Sequence, residues 1–250
     1  MKASKDWFKD WFNSPYYHLL YSNRNEDEAT AFIERLINYL QPHKNIKILD
    51  VACGKGRHSI ALAEMGFDVT GIDLSIESIT EAKQSESENL HFFTHDMRLP
   101  LWVNYFDIAF NFFTSFGYFK TQREHNNAIR SITQSLKPGG LFIIDYLNVA
   151  YEEKNFEEST EKIIGDYHFV IKKRHDLHHF YKEIQVNDGS VKMPITLSTE
   201  RVAKFSFDDF KTMLAQQHMQ IEEIFGTYDL EKYDVASSRR MIIVAKKIAI

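Results

Sequence analysis

The glycine-rich turn at residues 52–56 and the acid Asp73 are the features whose residue types and spacing point most directly to chemistry. The small side chains of the turn, ACGKG, allow a ligand to approach the backbone closely. Asp73 follows the turn by roughly twenty residues, the spacing at which an acid can accept hydrogen bonds from both hydroxyls of an adenosine ribose. The pattern therefore predicts a site for an adenosine-containing ligand.

Three elements must position these residues. The apolar run at residues 46–51 predicts a strand that is buried on both faces. In residues 57–65 the spacing of apolar residues changes to that of a helix, and Gly66 stands where a helix C-cap glycine belongs. Residues 67–72 then predict a second strand, which places Asp73 at its carboxyl end. Because ligands of open parallel sheets bind at that edge, the stretch predicts half of a nucleotide-binding fold.

The residues that follow the turn distinguish between adenosine-containing ligands. A dinucleotide fingerprint, G-x-G-x-x-G/A, requires a small residue at its third position, where this chain has Ser59. Arg57 and His58, which open the predicted helix, are bulky, and no P-loop sequence is present. The turn therefore disfavours a dehydrogenase and a phosphate-binding P-loop.

Asp50, Cys53, Gly54 and Gly56, followed by VTGIDLS, resemble motif I of the class I S-adenosylmethionine-dependent methyltransferases. Ala52 stands where many members of that family carry Gly. The resemblance implies S-adenosyl-L-methionine as cofactor. It also implies an α/β fold with a Rossmann-like, seven-stranded, doubly wound sheet, mostly parallel with the last strand antiparallel. An adenosine site of another kind is the alternative.

The resemblance also implies a set of cofactor-binding residues. In the family, an acid after the third strand hydrogen-bonds the adenine amino group and its neighbour packs on the ring, and Asp96 and Met97 occupy those positions. The end of the fourth strand, at residues 105–113, lies near the methionine part of the cofactor, which makes Asn111 a candidate. The complete predicted set is Ala52, Cys53, Gly54, Gly56, Asp73, Leu74, Asp96, Met97, Asn111 and Phe112.

We interpret the chain as a single methyltransferase domain, residues 1–250, in four parts. These are an N-terminal helical cover at 1–42, a cofactor-binding core at 43–148, a small antiparallel β insertion at 160–203 and the C-terminal part of the core at 204–250.

Local patterns give the boundaries within these parts. A helix at residues 4–12 should end at Pro15, the aromatic segment at 16–21 is poorly periodic, and Asn25 should cap the next helix. A KPGG turn, common in the family at this point, should separate a helix at about residues 121–136 from the fifth strand. In the insertion, strand-like runs at 167–186 and 191–201 should meet at the turn Asn187, Asp188 and Gly189.

Insertions of this kind typically build the acceptor pocket in the family. Candidate residues of this pocket are Tyr17, Tyr118, Tyr146, His175 and Tyr181. No residue is recognisable as a general base, so the catalytic residues are left unassigned. The histidines of KKRHDLHHF do not predict a metal site, because His178 would face away from His175 and His179 on a strand. Cys53 is not expected to be a nucleophile, because it lies in the cofactor turn.

Composition limits the remaining choices. The net charge of -5 gives no general attraction to nucleic acid or to an anionic membrane. A single cysteine excludes an intramolecular disulfide, and no apolar run is long enough to span a bilayer. We therefore expect a cytoplasmic monomer or homodimer that acts on a small-molecule methyl acceptor. The alternatives are an RNA or protein methyltransferase and a non-catalytic protein that binds an adenosine cofactor.

Overall fold

The computed structural model of the chain describes residues 7–21, 26–187 and 195–248. Its helices are α1 (Trp7–Phe12), α2 (Pro15–Leu20), α3 (Glu26–Leu40), α4 (Arg57–Glu64), α5 (Ile76–Ala82), α6 (Gln122–Ser135), α7 (Val149–Lys154) and α8 (Phe207–Ala215). Its strands are β1 (Lys47–Val51), β2 (Asp68–Asp73), β3 (Leu90–Thr94), β4 (Phe106–Asn111), β5 (Leu136–Leu147), β6 (Ser159–Ile164), β7 (Tyr167–His175), β8 (His179–Asn187), β9 (Ile195–Ala203), β10 (Met219–Phe225) and β11 (Arg240–Lys247). Asn25, Asp188 and Gly189, for which the sequence predicts a helix cap and a turn, lie outside the described residues.

The larger of two sheets has seven strands in the order β10-β11-β5-β4-β1-β2-β3. Strand β1 pairs in parallel with β2 and β4, and β11 is antiparallel to both of its neighbours. This topology confirms the predicted Rossmann-like fold with an antiparallel last strand. Because β1 to β4 are all parallel, their carboxyl ends lie along one edge of the sheet.

The second sheet is antiparallel and has the order β6-β7-β8-β9. The prediction of one strand over residues 167–186 is wrong, because the chain turns between His175 and His179. The Asp176 carboxylate accepts hydrogen bonds from the amides of His178 (2.8 Å) and His179 (2.7 Å), and these bonds lower the pKa of Asp176. His178 therefore lies in a turn, and the prediction that it lies on a strand and faces away from His175 and His179 is wrong.

The N-terminal segment is more helical than the sequence indicates. Pro15 does follow the end of α1, but it is also the first residue of α2, and the Ser14 hydroxyl accepts a hydrogen bond from the Tyr16 amide (3.3 Å). A proline is well tolerated there, because its missing amide proton has no partner in a first helical turn. Both Trp7 and Trp11 are buried against the main core.

The predicted KPGG turn is instead part of β5. Pairing of β4 with β5 steps from Phe106–Leu136 to Ile108–Leu141, so residues 137–140 form a bulge in the strand. Gly139 has a φ of 79°, which suits glycine. Among the described residues, none of the helices combines the length and apolar character needed to cross a lipid bilayer.

Candidate active site

The turn after β1 places backbone groups at the carboxyl edge of the large sheet. The two Asp73 carboxylate oxygens accept hydrogen bonds from the amides of Gly54 (2.9 Å) and Ser75 (2.7 Å). Burial raises the pKa of Asp73, and these amide bonds oppose the shift. A Cβ atom added to Gly54 would meet no atom within 4 Å, so this face of the turn is open.

A cavity of about 430 Å³, here called the first cavity, lies over the ends of β1 to β4. Its volume is within the range of roughly 300–1,000 Å³ that is usual for small-molecule sites. Of the predicted cofactor-binding residues, it is lined by Ala52, Cys53, Gly54, Asp73, Leu74, Asp96, Met97 and Phe112.

Two predicted cofactor-binding residues do not line the first cavity. Gly56 faces inward, where an added Cβ would overlap the ring of Phe92, so its role is to let the turn pack closely. Asn111 is fully buried, and its amide donates a hydrogen bond to the Val51 carbonyl (3.0 Å). Asn111 therefore ties β4 to β1 underneath the cavity.

Asp50 also lines the first cavity, although the sequence identified it only as part of the motif. It is 1% exposed and accepts a hydrogen bond from the Ser59 hydroxyl (2.7 Å). Burial raises the pKa of Asp50 to about 6, and the Asp73 carboxylate contributes to the rise. Its position at the end of β1, directly before the turn, is the signal that could have identified it.

Asp96 has a partner that the sequence did not predict. Its two carboxylate oxygens accept hydrogen bonds from the Arg98 guanidinium, the shortest from Nη2 at 2.7 Å. The same guanidinium donates to Glu124 at the start of α6 (2.8 Å). Arg98 therefore fixes the Asp96 carboxylate at the wall of the cavity.

The chain after β4 has an unusual conformation that a buried ion pair holds in place. Phe113 and Thr114 have φ values of 56° and 57°, a region that side chains other than glycine rarely adopt. The fully buried Asp145 carboxylate accepts hydrogen bonds from the Phe113 amide (2.7 Å), the Tyr228 hydroxyl (3.0 Å) and Arg240 Nε (2.7 Å). Arg240 also donates to the Thr114 hydroxyl (2.9 Å).

A second cavity of about 340 Å³ adjoins the first. Both cavities are lined by Phe12, Tyr17, Tyr21, Phe113 and Tyr118, which form the wall between them. The remaining lining of the second cavity comes mostly from the small sheet and from the segment that leads into it. The two cavities thus meet at an aromatic wall contributed by the N-terminal helices and by the chain after β4.

Glu200, on β9, connects the small sheet to the N-terminal helices at the edge of the second cavity. Its Oε1 atom accepts hydrogen bonds from Trp11 Nε1 (2.7 Å) and from the Tyr21 hydroxyl (2.9 Å). Its Oε2 atom lies 3.2 Å from Lys182 Nζ on β8. No pattern in the sequence indicates a role for this residue, because one acid in a polar strand is ordinarily a solvated side chain.

The structure brings together only some of the residues predicted for the acceptor pocket. Tyr17 and Tyr118 line both cavities, and Tyr181 lines the second. Tyr146 lines neither cavity, because it is fully buried in the core and its hydroxyl donates to the Ala203 carbonyl. His175 also lines neither, and its Nδ1 atom lies 2.9 Å from Lys204 Nζ.

Comparison with known proteins identifies the family. Residues 42–185 match the family model described as a methyltransferase domain. The chain belongs to the S-adenosylmethionine-dependent methyltransferases. S-Adenosylmethionine is the cofactor of this family.

Individual relatives match part or all of the methyltransferase. A Bacillus subtilis protein assigned to the methyltransferases is 37% identical over 147 residues, which are 58% of each chain. The Streptomyces venezuelae dTDP-3-amino-3,4,6-trideoxy-alpha-D-glucopyranose N,N-dimethyltransferase is 33% identical over 132 residues, 52% of this chain and 54% of the relative. These alignments span little more than half of each relative. A Clostridium acetobutylicum methyltransferase structure is similar in fold, with a TM-score of 0.77 at 16% identity and coverage of 94% and 96% of the two chains.

Donor binding to the methyltransferase is expected to strengthen as the pH rises from about 5 to about 7. The donor carries a sulfonium and an ammonium charge, and the Asp50 carboxyl, with a pKa raised to about 6, is mostly protonated at pH 5 and mostly ionised at pH 7. If a bound cation lowers this pKa by about one unit, the affinity rises roughly fivefold across the interval. Calorimetric titration with S-adenosylmethionine at several pH values measures the effect.

The control for this pH dependence is Asp50→Asn, which keeps the size of the side chain and removes its titration. His18 also lines the first cavity, and burial lowers its pKa. A flat pH profile in the Asp50→Asn variant assigns the effect to Asp50. An unchanged profile would assign it to another group of the cavity instead.

Proposed function

We propose that this methyltransferase transfers the methyl group of S-adenosylmethionine, bound in the first cavity, to a small-molecule acceptor bound in the second cavity. The observation that supports the proposal is the shared aromatic wall between two adjoining cavities of small-molecule size. The predicted donor residues that line the first cavity would hold the nucleoside and methionine parts. The cytoplasmic location, the monomeric or homodimeric state and the four-part division of the chain stay predictions.

The residues at the junction are suited to orienting an acceptor. The bound donor supplies an electrophilic methyl group on a sulfonium, and in-line displacement then depends mainly on holding the acceptor in the correct direction. Tyr17, Tyr21 and Tyr118 offer hydroxyl groups at the wall. Burial raises the pKa of Tyr118, so its hydroxyl stays protonated at neutral pH and acts through hydrogen bonds and not as a base.

The names of relatives favour an amine as the acceptor. One relative is the dTDP-amino-sugar N,N-dimethyltransferase of Streptomyces venezuelae, and another, 30% identical over 149 residues, is a rat glycine N-methyltransferase. The second cavity is also lined by Glu152 and Glu157, whose carboxylates suit an amine that binds in its protonated form. The amine would release this proton to solvent before its nitrogen lone pair attacks the methyl carbon and the C–S bond breaks. Amino-group methylation of a small molecule is therefore the form of the reaction that we would test first.

Transfer of radioactive methyl groups tests the proposal. The protein and S-adenosyl-L-[methyl-³H]methionine would be incubated with glycine, with the low-mass fraction of a Bacillus subtilis extract, and with RNA and protein from the same extract. We expect label in low-mass compounds. Label confined to RNA or protein would contradict the proposal, and binding of NAD in place of the donor would contradict the donor site itself.

Val202→Trp connects this result to the second cavity, which Val202 lines. The larger side chain should fill the acceptor site, so we expect methyl transfer to fall at least about tenfold, since small displacements of an acceptor strongly reduce transfer. S-Adenosylhomocysteine affinity should stay unchanged. Val235→Trp is the matched control, because Val235 is 58% exposed and lines neither cavity.

A further inference from the structure

The end of the first cavity near β4 has two opposite charges close together. Asp50 and Arg57 both line it, and the positive charge of Arg57 acts on the Asp50 carboxyl. The Arg57 guanidinium lies 5.5 Å from the ring centroid of Phe113, and the ring of His58 stacks on the same side chain at 5.1 Å. Arg57 is half-buried, so its charge is not fully solvated.

The order of the strands shows which end of the cavity this is. The sheet runs β4-β1-β2-β3, so the acids Asp73 and Asp96, which follow β2 and β3, lie on one side of Asp50. Phe113, which follows β4, lies on the other side, and Arg57 is next to it. If Asp73 binds the ribose, the part of the donor that extends beyond the ribose toward β4 reaches Asp50 and Arg57.

That part of the donor is an α-amino acid, which carries one ammonium and one carboxylate. A carboxylate in a partly buried site requires a cationic partner, and a guanidinium binds it with two parallel hydrogen bonds. Lys55 also lines the cavity, but its Nζ atom lies 2.7 Å from the Glu81 carboxylate on α5, on the β2 side. Arg57 is thus the cation that is placed next to Asp50 at the β4 end.

We infer that Arg57 binds the carboxylate of the donor's amino-acid end, with Asp50 facing the ammonium, and that Arg57 thereby selects donors with an intact amino acid. The inference rests on the proposed placement of the donor in the first cavity. It assigns to Arg57 a role in recognising the ligand, separate from the role of Asp73 at the ribose. It also gives a reason for a bulky cationic residue to open α4, where a dinucleotide site requires space for a pyrophosphate.

Calorimetric titration with three probes at about pH 8 tests this role without any acceptor. S-Adenosylhomocysteine carries the complete amino acid of the donor. Decarboxylated S-adenosylmethionine differs from the donor only by lacking the carboxylate, and 5′-methylthioadenosine lacks the whole amino acid. For Arg57→Gln we expect the affinity for S-adenosylhomocysteine to fall at least about tenfold, the usual size of a charge-assisted hydrogen bond. The affinities for the other two probes should change less than about twofold, and Arg57→Lys should recover part of the loss.

The controls separate recognition from damage to the fold. Arg35→Gln makes the same substitution at an arginine that lines neither cavity and pairs with Asp229 at the surface, and it should leave all three affinities unchanged. Equal losses for S-adenosylhomocysteine and 5′-methylthioadenosine in Arg57→Gln would overturn the inference, because they would indicate a disturbed turn. No loss for S-adenosylhomocysteine would overturn it as well. If the unsubstituted protein bound none of the probes, the proposed donor cavity would itself be wrong, and the inference with it.

Discussion

A chain with Asp73→Ala is expected to bind S-adenosylmethionine at least about 100-fold more weakly, which corresponds to roughly 3 kcal/mol. Two charge-assisted hydrogen bonds to the ribose hydroxyls would be lost, each worth about 1.5–3 kcal/mol. The amides of Gly54 and Ser75, which donate to this carboxylate, would also lose their acceptor, so the turn itself would be less well fixed. Calorimetric titration with the donor and with S-adenosylhomocysteine measures the loss.

Asp68→Ala is the matched control for this experiment, because Asp68 is on the same strand at the opposite end and pairs with Lys47 at the surface. Its donor affinity should equal that of the unsubstituted protein. Unchanged donor binding by Asp73→Ala together with reduced methyl transfer would contradict the role that we give to Asp73. That result would mean that the carboxylate acts in the chemical step.

Asp145→Ala is expected to reduce the free energy of unfolding by about 3–5 kcal/mol, because it leaves the Arg240 charge without its buried partner. Arg240 is only 20% exposed in its side chain, and the amide of Phe113 and the hydroxyl of Tyr228 would lose an acceptor at the same time. For a chain of this size, the melting temperature should fall by roughly 10 °C. Thermal and denaturant unfolding measure both quantities.

Two further variants show whether the effect comes from the unpaired charge. Lys137→Ala breaks an ion pair with Asp107 that is 41% and 28% exposed, and it should cost less than about 1 kcal/mol. Adding Arg240→Met to Asp145→Ala removes the charge that has lost its partner, so part of the stability should return. A double variant as unstable as the sum of its single variants would show instead that the strained turn at Phe113 dominates.

The parts of the site that the sequence predicted are local. Gly54 and Asp73 are 19 residues apart within one strand–helix–strand unit, where hydrophobic periodicity fixes the elements and the glycines fix the turn. Fold class follows from the same information, because repeated strand–helix units predict a parallel sheet. Asp50 stands in this unit as well, and its burial is what distinguishes it from an ordinary residue at the end of a strand.

The second cavity depends on contacts between distant parts of the chain. Glu200 binds Trp11 and Tyr21 across 189 and 179 residues, and Asp145 binds Arg240 across 95. No periodicity or spacing in a single sequence indicates such pairs. For the same reason Tyr146 could not be separated from Tyr118 in advance, since both are aromatic residues near strand ends and only packing decides which one faces a cavity.

Two local errors had different causes. The turn between β7 and β8 contains neither glycine nor proline, and its one signal is Asp176, whose carboxylate holds the amides after it. The start of α2 did have a recognisable pattern, because a serine followed by a proline is typical of a helix N-terminus. In that segment the aromatic residues obscured the helical period. They pack against the main core, and this packing determines their positions in the sequence more than helical spacing does.

The hydrogen bonds of Glu200 connect the N-terminal segment, which lines the first cavity, to the small sheet, which lines the second cavity, so that the two form one unit. Tyr21 lines both cavities, and Glu200 holds it to the small sheet together with Trp11 and Lys182. A ligand that orders this unit from one side also lowers the entropy that a ligand on the other side must lose. With the donor and the acceptor in these two cavities as proposed, thermodynamic linkage requires that each changes the affinity of the other by the same factor.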